Sequence, residues 1–260
     1  MKIADLSAKY EDSYLHCLED WSDEIDEAGD HKAHWYRKMS ERGLRVKLAV
    51  DDDDRPVGMI QYLPIEDSMA LGSDLYMILC VWVHGYKQGV GDRQGRGIGT
   101  ALLWAAERDA ERLGAKGIAA WGVAIPWWMK ARWFKKHGYQ AVDRAGMAVL
   151  LWKPFTLDAS PPCWVEPGPR PQPIEGQVTI TAYLSGWCPA QNLVYERALR
   201  AASEFGDEVV FETRDTSEKA DVIACGQTDC VYLDGKTLQK GPPPSYAKIR
   251  RKIERRVKRL

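Results

Sequence analysis

Apolar and polar positions alternate with a two-residue period in short stretches and recur every three or four residues in longer ones, so the chain reads as a mixture of strands and amphipathic helices. The pattern predicts a strand at 1–6, helices near 8–19 and 27–42, and strands at 44–51 and 56–65. A hydrophobic run at 74–83 predicts a buried strand, followed by a glycine-rich loop and a helix at 97–113 that stops before Gly114. A strand at 117–124, a short helix at 127–137 ending at Gly138, and strands at 140–144 and 146–152 complete this part, in the order β-α-α-β-β-β-α-β-α-β-β. Further along come a strand at 177–184, a helix at 189–204, a strand at 207–213, an irregular stretch at 214–228, a hairpin at 229–238 turning at Asp234-Gly235, and a helix at 245–259. Asp-Gly between two apolar runs suits a two-residue hairpin turn.

Half of the fourteen prolines fall between 153 and 176, from Pro154 to Pro173. Proline at this density sustains neither a helix nor a sheet interior. The expected organisation is therefore a first domain at 1–153, a linker at 154–176 and a second domain at 177–260. The acid run Asp51-Asp52-Asp53-Asp54 sits before Arg55-Pro56 at a predicted hairpin tip. There it reads as a solvated turn rather than a metal site.

Composition is that of a globular protein, with 45% hydrophobic and 28% charged residues over 260 positions. No apolar run approaches the ~20 residues of a membrane helix, and an N-terminus with ten acids among thirty residues has neither signal- nor transit-peptide character. A cytoplasmic location without membrane association is the expectation. The net charge of -1 conceals a basic end, with nine Lys/Arg and one acid between 240 and 260. Tyr246, Ile249, Ile253, Val257 and Leu260 recur there at helical spacing, so an amphipathic helix with a basic wet face is expected before a nucleic-acid tail. The six cysteines are irregularly spaced and do not form a secreted disulfide framework. No metal site is expected.

The most informative segment is Gly91-Asp92-Arg93-Gln94-Gly95-Arg96-Gly97-Ile98-Gly99-Thr100, between a strand and a helix. Its glycines let the backbone turn tightly, and the helix start behind them offers unpaired N–H groups and the positive end of a dipole. Together these suit a diphosphate, with Arg93 or Arg96 adding charge at the rim. No Gly-Lys-Ser/Thr follows, and the spacing of the glycines misses the dinucleotide fingerprint. Gln94-Gly95-Arg96-Gly97-Ile98-Gly99 instead resembles the Gln/Arg-x-x-Gly-x-Gly/Ala signature of the GNAT superfamily of acyl-CoA-dependent N-acyltransferases. The element order over 1–152 and the closing Lys136-His137-Gly138-Tyr139 are similar to that family as well. The resemblance implies an α/β (α+β) fold with a mixed, mostly antiparallel sheet flanked by helices. It implies acetyl-CoA as acyl donor, its pyrophosphate held by amides of Gln94, Gly95, Arg96, Gly97, Ile98, Gly99 and Thr100. Backbone groups of Val81 to Val83 would pair with the pantetheine arm.

The family often places a proton-donating tyrosine four residues before the glycine of the closing step; here that position is Phe134, at the cofactor site, and the asparagine found seven residues earlier is Trp127. Tyr139, Tyr86 and Cys80 are replacements by proximity, or the thiolate leaves unassisted or through water. His84 has the intrinsic chemistry of a base, with a structural role as the alternative. Trp82, Trp121, Trp127 and Trp128 line an aromatic acceptor pocket or belong to the core.

In the second part, Trp187-Cys188-Pro189 lies where a strand runs into a helix, and resembles the active-site edge of thioredoxin-like proteins. There a helix N-terminus activates the cysteine. Gln191 occupies the place of the second cysteine, which excludes dithiol exchange on the usual scheme; Cys225 and Cys230 remain as resolving partners, or as part of a metal site with Cys188. The combination resembles a bacterial group with this tandem layout. The expected function is transfer of an acetyl group to an amine of a small molecule, with a possible homodimer as the assembly. Thiol chemistry at Cys188, or non-catalytic acyl-CoA sensing, are the alternatives.

Overall fold

The structure, a computed structural model, describes residues 1–124, 129–239 and 241–260. The elements along the chain are β1 (Lys2–Asp5), α1 (Glu11–Leu15), α2 (Asp23–Asp26), α3 (His31–Ser40), β2 (Arg45–Val50), β3 (Pro56–Pro64), β4 (Ala70–Leu71) and β5 (Leu75–Val83). Then follow α4 (Ile98–Arg112), β6 (Gly117–Val123), α5 (Ala131–Lys136), β7 (Gln140–Ala145), β8 (Ala148–Pro154) and β9 (Cys163–Trp164). The last third holds β10 (Val178–Leu184), α6 (Pro189–Ser203), β11 (Val209–Asp215), α7 (Lys219–Cys225), β12 (Cys230–Leu233), β13 (Lys236–Thr237) and α8 (Tyr246–Val257).

Two compact units result. One comprises 1–21 and 38–165, the other 22–37 and 166–260. The boundary thus differs from the one expected from the prolines: 22–37 groups with the C-terminal unit, and the stretch after β8 stays with the first up to Val165. The reason is specific. Arg197 of α6, almost fully buried, donates to Glu24 Oε1 (2.7 Å) and to both carboxylate oxygens of Glu27 (3.2 and 3.3 Å), and His31 Nε2 lies 2.6 Å from Glu196 Oε1. A charge buried this deeply has to be paired, and the partners come from the early segment. On the other side, β9 pairs with β4, and the Trp164 N–H donates to Asp143 Oδ2 at 2.7 Å.

The first unit is a seven-stranded sheet in the order β1-β2-β3-β5-β6-β8-β7. Every neighbouring pair is antiparallel except β5 and β6. Helix α4 packs on one face with Ile98, Leu102, Leu103, Ala106 and Ala110 in a core shared with Ile60, Tyr62, Ile78 and Ile118. The helix expected at 8–19 is only a 3-10 turn (Ala8–Tyr10) and α1; Cys17 and Leu18 adopt positive φ (53° and 63°), a conformation that ends a helix. The helix expected at 127–137 is described from Ala131, with 125–128 outside the described residues.

The second unit is a four-stranded sheet in the order β11-β10-β12-β13, with β10 and β11 parallel. Helices α6 and α8 supply Val194, Ala198, Ile249 and Ile253 to its core. The stretch read as irregular contains α7, whose C-terminal Gly226 takes the left-handed conformation (φ 63°) usual after a helix.

Candidate functional site

Strands β5 and β6 run side by side only from Leu75 to Ile78 and from Gly117 to Ala120. Beyond this, β5 remains paired with β3 and β6 with β8, so the sheet opens between them. A bulge accompanies the opening: in the β3–β5 ladder, Cys80 faces Gln61 and Ile78 faces Tyr62, leaving Leu79 extra. Bulges bend a strand and increase its twist. The Leu79 carbonyl accepts from Trp121 Nε1 at 2.8 Å, which is the role found for this tryptophan.

Past the bulge, the His84 N–H donates to Val57 on the β3 side at 3.0 Å. Alternation along the strand then turns the main-chain groups of Val81 and Val83 towards the opening. Two contacts agree with that direction: the Val81 N–H donates to Met129 Sδ (3.4 Å), and the Gln94 side chain donates to the Val83 carbonyl (3.3 Å).

The loop after β5 arrives at the same opening. Gly91, Gly95 and Gly97 have φ of 76°, 74° and 76°, the left-handed region where a side chain is strained, and no atom lies within 4 Å of where their Cβ would be. Gly97 caps α4. The resulting cavity has a volume of about 640 Å³ and is lined by Val81, Trp82, Val83, Arg93, Gln94, Gly95, Gly97, Ile98, Gly99, Thr100, Met129, Lys130, Trp133 and Phe134. Of the residues expected at a cofactor site, only Arg96 is not among the lining residues. It is exposed, and its guanidinium donates to the Asp92 carbonyl (3.3 Å).

Two further details differ from the expectation. The Gln94 amide is donated to Asp92 Oδ1 (2.9 Å), so the amides directed at a ligand begin after it. Arg93 is held by Val90 and Asp51: its Nε donates to the Val90 carbonyl (2.8 Å) and its terminal nitrogen to Asp51 Oδ2 (3.1 Å). Burial works to raise the Asp51 carboxyl, but the Arg55 amide and guanidinium and the Arg93 charge hold it below its ordinary value. The acid run is indeed a turn, with Asp51 Oδ1 accepting from the amides of Asp53 and Arg55.

His84 is fully buried, with both ring nitrogens engaged. Trp21 Nε1 donates to Nε2 (3.0 Å), and an indole nitrogen is a donor only, so the proton lies on Nδ1 and is donated to the Gly91 carbonyl (2.9 Å). Trp21 and Tyr86 pack edge-on against this imidazole, their own ring centres 5.5 Å apart, and Trp82 is tilted against Tyr86. The geometry is that of an anchor for the loop. Replacing His84 with glutamine is expected to lower the melting temperature and speed proteolysis within 84–93, while the shape of the pH–rate profile stays unchanged; loss of a limb of that profile would restore the base role.

Tyr139 is buried against Phe134, with ring centres 5.4 Å apart, and is not among the cavity residues. Burial first, then the Glu107 carboxylate, push its phenol far above the ordinary value. Phe134 itself lines the cavity. Cys80 is buried on β5. Trp127 and Trp128 lie outside the described residues. Cys188 belongs to the other unit, where it precedes α6 and its carbonyl accepts from the amides of Gln191 (2.9 Å) and Asn192 (3.0 Å). Burial pushes the Cys230 thiol up, away from the thiolate a resolving partner needs. Among the described residues, no disulfide is formed and no group of three or more His, Cys, Asp or Glu stands together as metal ligands.

Two residues of the site had no assigned role in the sequence. Trp21 lies 63 residues from His84, with no local pattern joining them. His137 donates from Nδ1 to the Trp133 carbonyl (2.9 Å) and accepts at Nε2 from the Thr100 hydroxyl (3.0 Å). It thereby ties α5 to the first turn of α4.

Among solved structures, an acetyltransferase of the GNAT family from Staphylococcus aureus Mu50 is similar at 13% identity and a TM-score of 0.44, over 60% of this chain and 99% of that one. A GNAT family acetyltransferase from Brucella melitensis in complex with acetyl-CoA gives 16% identity and 0.43, over 62% and 91%. An aminoglycoside 6'-N-acetyltransferase from Enterococcus faecium gives 16% and 0.43, over 62% and 100%. No curated protein matches the chain. The model of the acetyltransferase (GNAT) family matches residues 5–139, more than half of the sequence, and the chain belongs to that family.

Proposed function

We propose that the chain transfers an acetyl group from acetyl-CoA to an amine of a small molecule. The observation that carries the proposal is the meeting, in one cavity, of an opened edge of β5 with the glycine turn that starts α4. An acyl-CoA has two parts that need such surfaces. Its pyrophosphate suits the amides from Gly95 to Thr100, backed by the positive end of a 15-residue helix. The amides of its pantetheine arm suit the main-chain groups of Val81 and Val83, as an added strand would.

In the reaction the amine nitrogen attacks the thioester carbonyl carbon; the C–N bond forms, the C–S bond breaks, and the nitrogen loses a proton. Phe134 provides no proton to the departing sulfur. A thiol of ordinary pKa, ~8.5, is a tolerable leaving group as the thiolate, which takes its proton from water. With both ring nitrogens of His84 engaged and Tyr139 buried outside the cavity lining, the amine enters neutral or is deprotonated by solvent. Lys130 is exposed at the cavity rim and Trp82 lines its wall.

A second reading, non-catalytic acyl-CoA sensing, is favoured by the absence of a proton donor at Phe134. Isothermal titration with acetyl-CoA, followed by thiol release with a panel of amines, separates the two. Binding with turnover supports transfer; binding without turnover on any amine leaves the sensor; no binding removes both. In the second unit, the succession β10-α6-β11 and then β12-β13-α8 supports a thioredoxin-like arrangement, and thiol chemistry at Cys188 remains a proposal for that unit. A cytoplasmic location and a homodimer are likewise proposed; among the described residues no helix is long and apolar enough to cross a membrane.

A further inference from the structure

Helix α8 places Ile249 and Ile253, both fully buried, in the core of its own unit, with Tyr246 and Val257 half-buried against it. Its basic residues divide into two groups. Arg250 reaches Glu204 (2.5 Å) and Glu254 (3.8 Å), Arg256 reaches Asp234 (3.4 Å), Lys258 reaches Glu254 (2.8 Å), and Lys252 donates to the Leu238 carbonyl (2.7 Å). The others are Lys248, Arg251, Arg255 and Arg259, all exposed. None of these four has an acid within ion-pair distance among the described residues. The spacing of three and four residues sets Lys248, Arg251 and Arg255 in one row on the side of the helix away from Ile249 and Ile253, and Arg259 lies in the turn just beyond Val257. Burial and then the like charge of Lys248 hold the Lys252 ammonium below its ordinary value.

We infer that this row binds the phosphate backbone of double-helical nucleic acid, without regard to sequence. Lys248, Arg251 and Arg255 span about 10 Å of helix, with Arg259 in the turn that follows Val257, and a duplex carries one negative charge per ~1.7 Å along its axis. A membrane surface fits less well, because an interfacial helix must insert an apolar face and this one is already buried. An acidic protein partner fits less well, because the row includes no apolar anchor of the kind that dominates protein interfaces. The row contains no aromatic residue either, so it offers no base-stacking platform.

The test uses the full chain and a labelled 20-base-pair DNA of random sequence, with binding read by fluorescence anisotropy across salt concentrations. Four phosphate contacts predict a slope of log affinity against log salt of about -3.6, or about 150-fold weaker binding between 50 and 200 mM salt. Reversing the row (K248E, R251E, R255E and R259E together) is expected to abolish binding, with the helical circular dichroism retained. The variant R250A, at a cation already paired, is expected to keep the wild-type slope. No binding at 50 mM salt, an unchanged affinity in the reversed variant, or equal binding to anionic lipid vesicles or polyglutamate would each overturn the inference. Acetyl-CoA binding is measured on the same samples and is expected to be unaffected, which separates this result from the fate of the transferase proposal.

Discussion

Replacing Gly97 by aspartate is expected to weaken acetyl-CoA binding about 100-fold or more, equivalent to roughly 2.7 kcal/mol, while the fold survives with a modest loss of melting temperature. Gly97 has φ 76° and ψ 1° at the cap of α4. Holding a residue with a Cβ there costs roughly 1–2 kcal/mol, and aspartate is among the residues that tolerate it best. No neighbouring atom lies within 4 Å of the added Cβ, so the fold meets no collision and the carboxylate stands in the space where the phosphates are proposed to lie. A like charge about 4 Å from a phosphate is unfavourable by roughly 4 kcal/mol at the effective dielectric of a protein surface, more than the strain. Gly97→Ala separates the two effects, because it keeps the strain without the charge; about tenfold weakening is expected. Isothermal titration gives the affinities and thermal denaturation gives the stabilities. Wild-type affinity in Gly97→Asp would show that this turn does not hold the pyrophosphate.

The glycine turn was legible in the sequence because its physical demand is local: left-handed backbone at 91, 95 and 97 favours glycine, which adopts it without strain. The same holds for the strand and helix that flank it, since a long buried strand and a 15-residue amphipathic helix leave strong periodic patterns. What the pattern missed is set by distant partners. The Leu79 bulge that opens the sheet depends on the register between β3 and β5, and no residue type announces it. The assignment of 22–37 to the second unit depends on a buried Arg197 meeting Glu24 and Glu27 some 170 positions earlier in the chain. His84 read as a candidate base because a lone histidine carries suitable chemistry. Its actual surroundings, an indole on one side and a carbonyl on the other, appear only in three dimensions. Helix α7 was missed because seven residues are too few to establish a period.

Removal of the Asp109 carboxylate is expected to give the largest stability loss among single substitutions in the first unit. Asp109 sits on the buried side of α4, with its side chain 2% exposed. Its Oδ2 accepts from Tyr62 Oη (2.6 Å) and Arg45 Nε (2.9 Å), Lys47 Nζ approaches Oδ1 at 3.4 Å, and Arg112 also donates to it. Burial works to raise this carboxyl, but the Tyr62 hydroxyl, the Arg45 hydrogen bond and the Lys47 charge together hold it well below the ordinary carboxylate range. Replacement by alanine leaves the buried Tyr62 hydroxyl without its acceptor and the Arg45 guanidinium without its closest carboxylate, while the nearly buried Lys47 ammonium keeps Asp5 at 2.5 Å; each hydrogen bond lost to the charged group costs about 1.5–3 kcal/mol. The pH dependence carries a definite sign. A carboxyl whose folded value lies below its unfolded value of ~3.9 binds more protons in the unfolded chain. Its contribution is therefore complete above about pH 4 and is lost as the pH falls through the folded value. Thermal denaturation of wild type and Asp109→Asn should accordingly differ most near neutral pH and converge in strong acid. A constant difference across that range would mean that the stabilisation comes from packing and not from the charge; Tyr62→Phe, which removes only one hydrogen bond to the charged group, should show a smaller loss of about 1.5–3 kcal/mol.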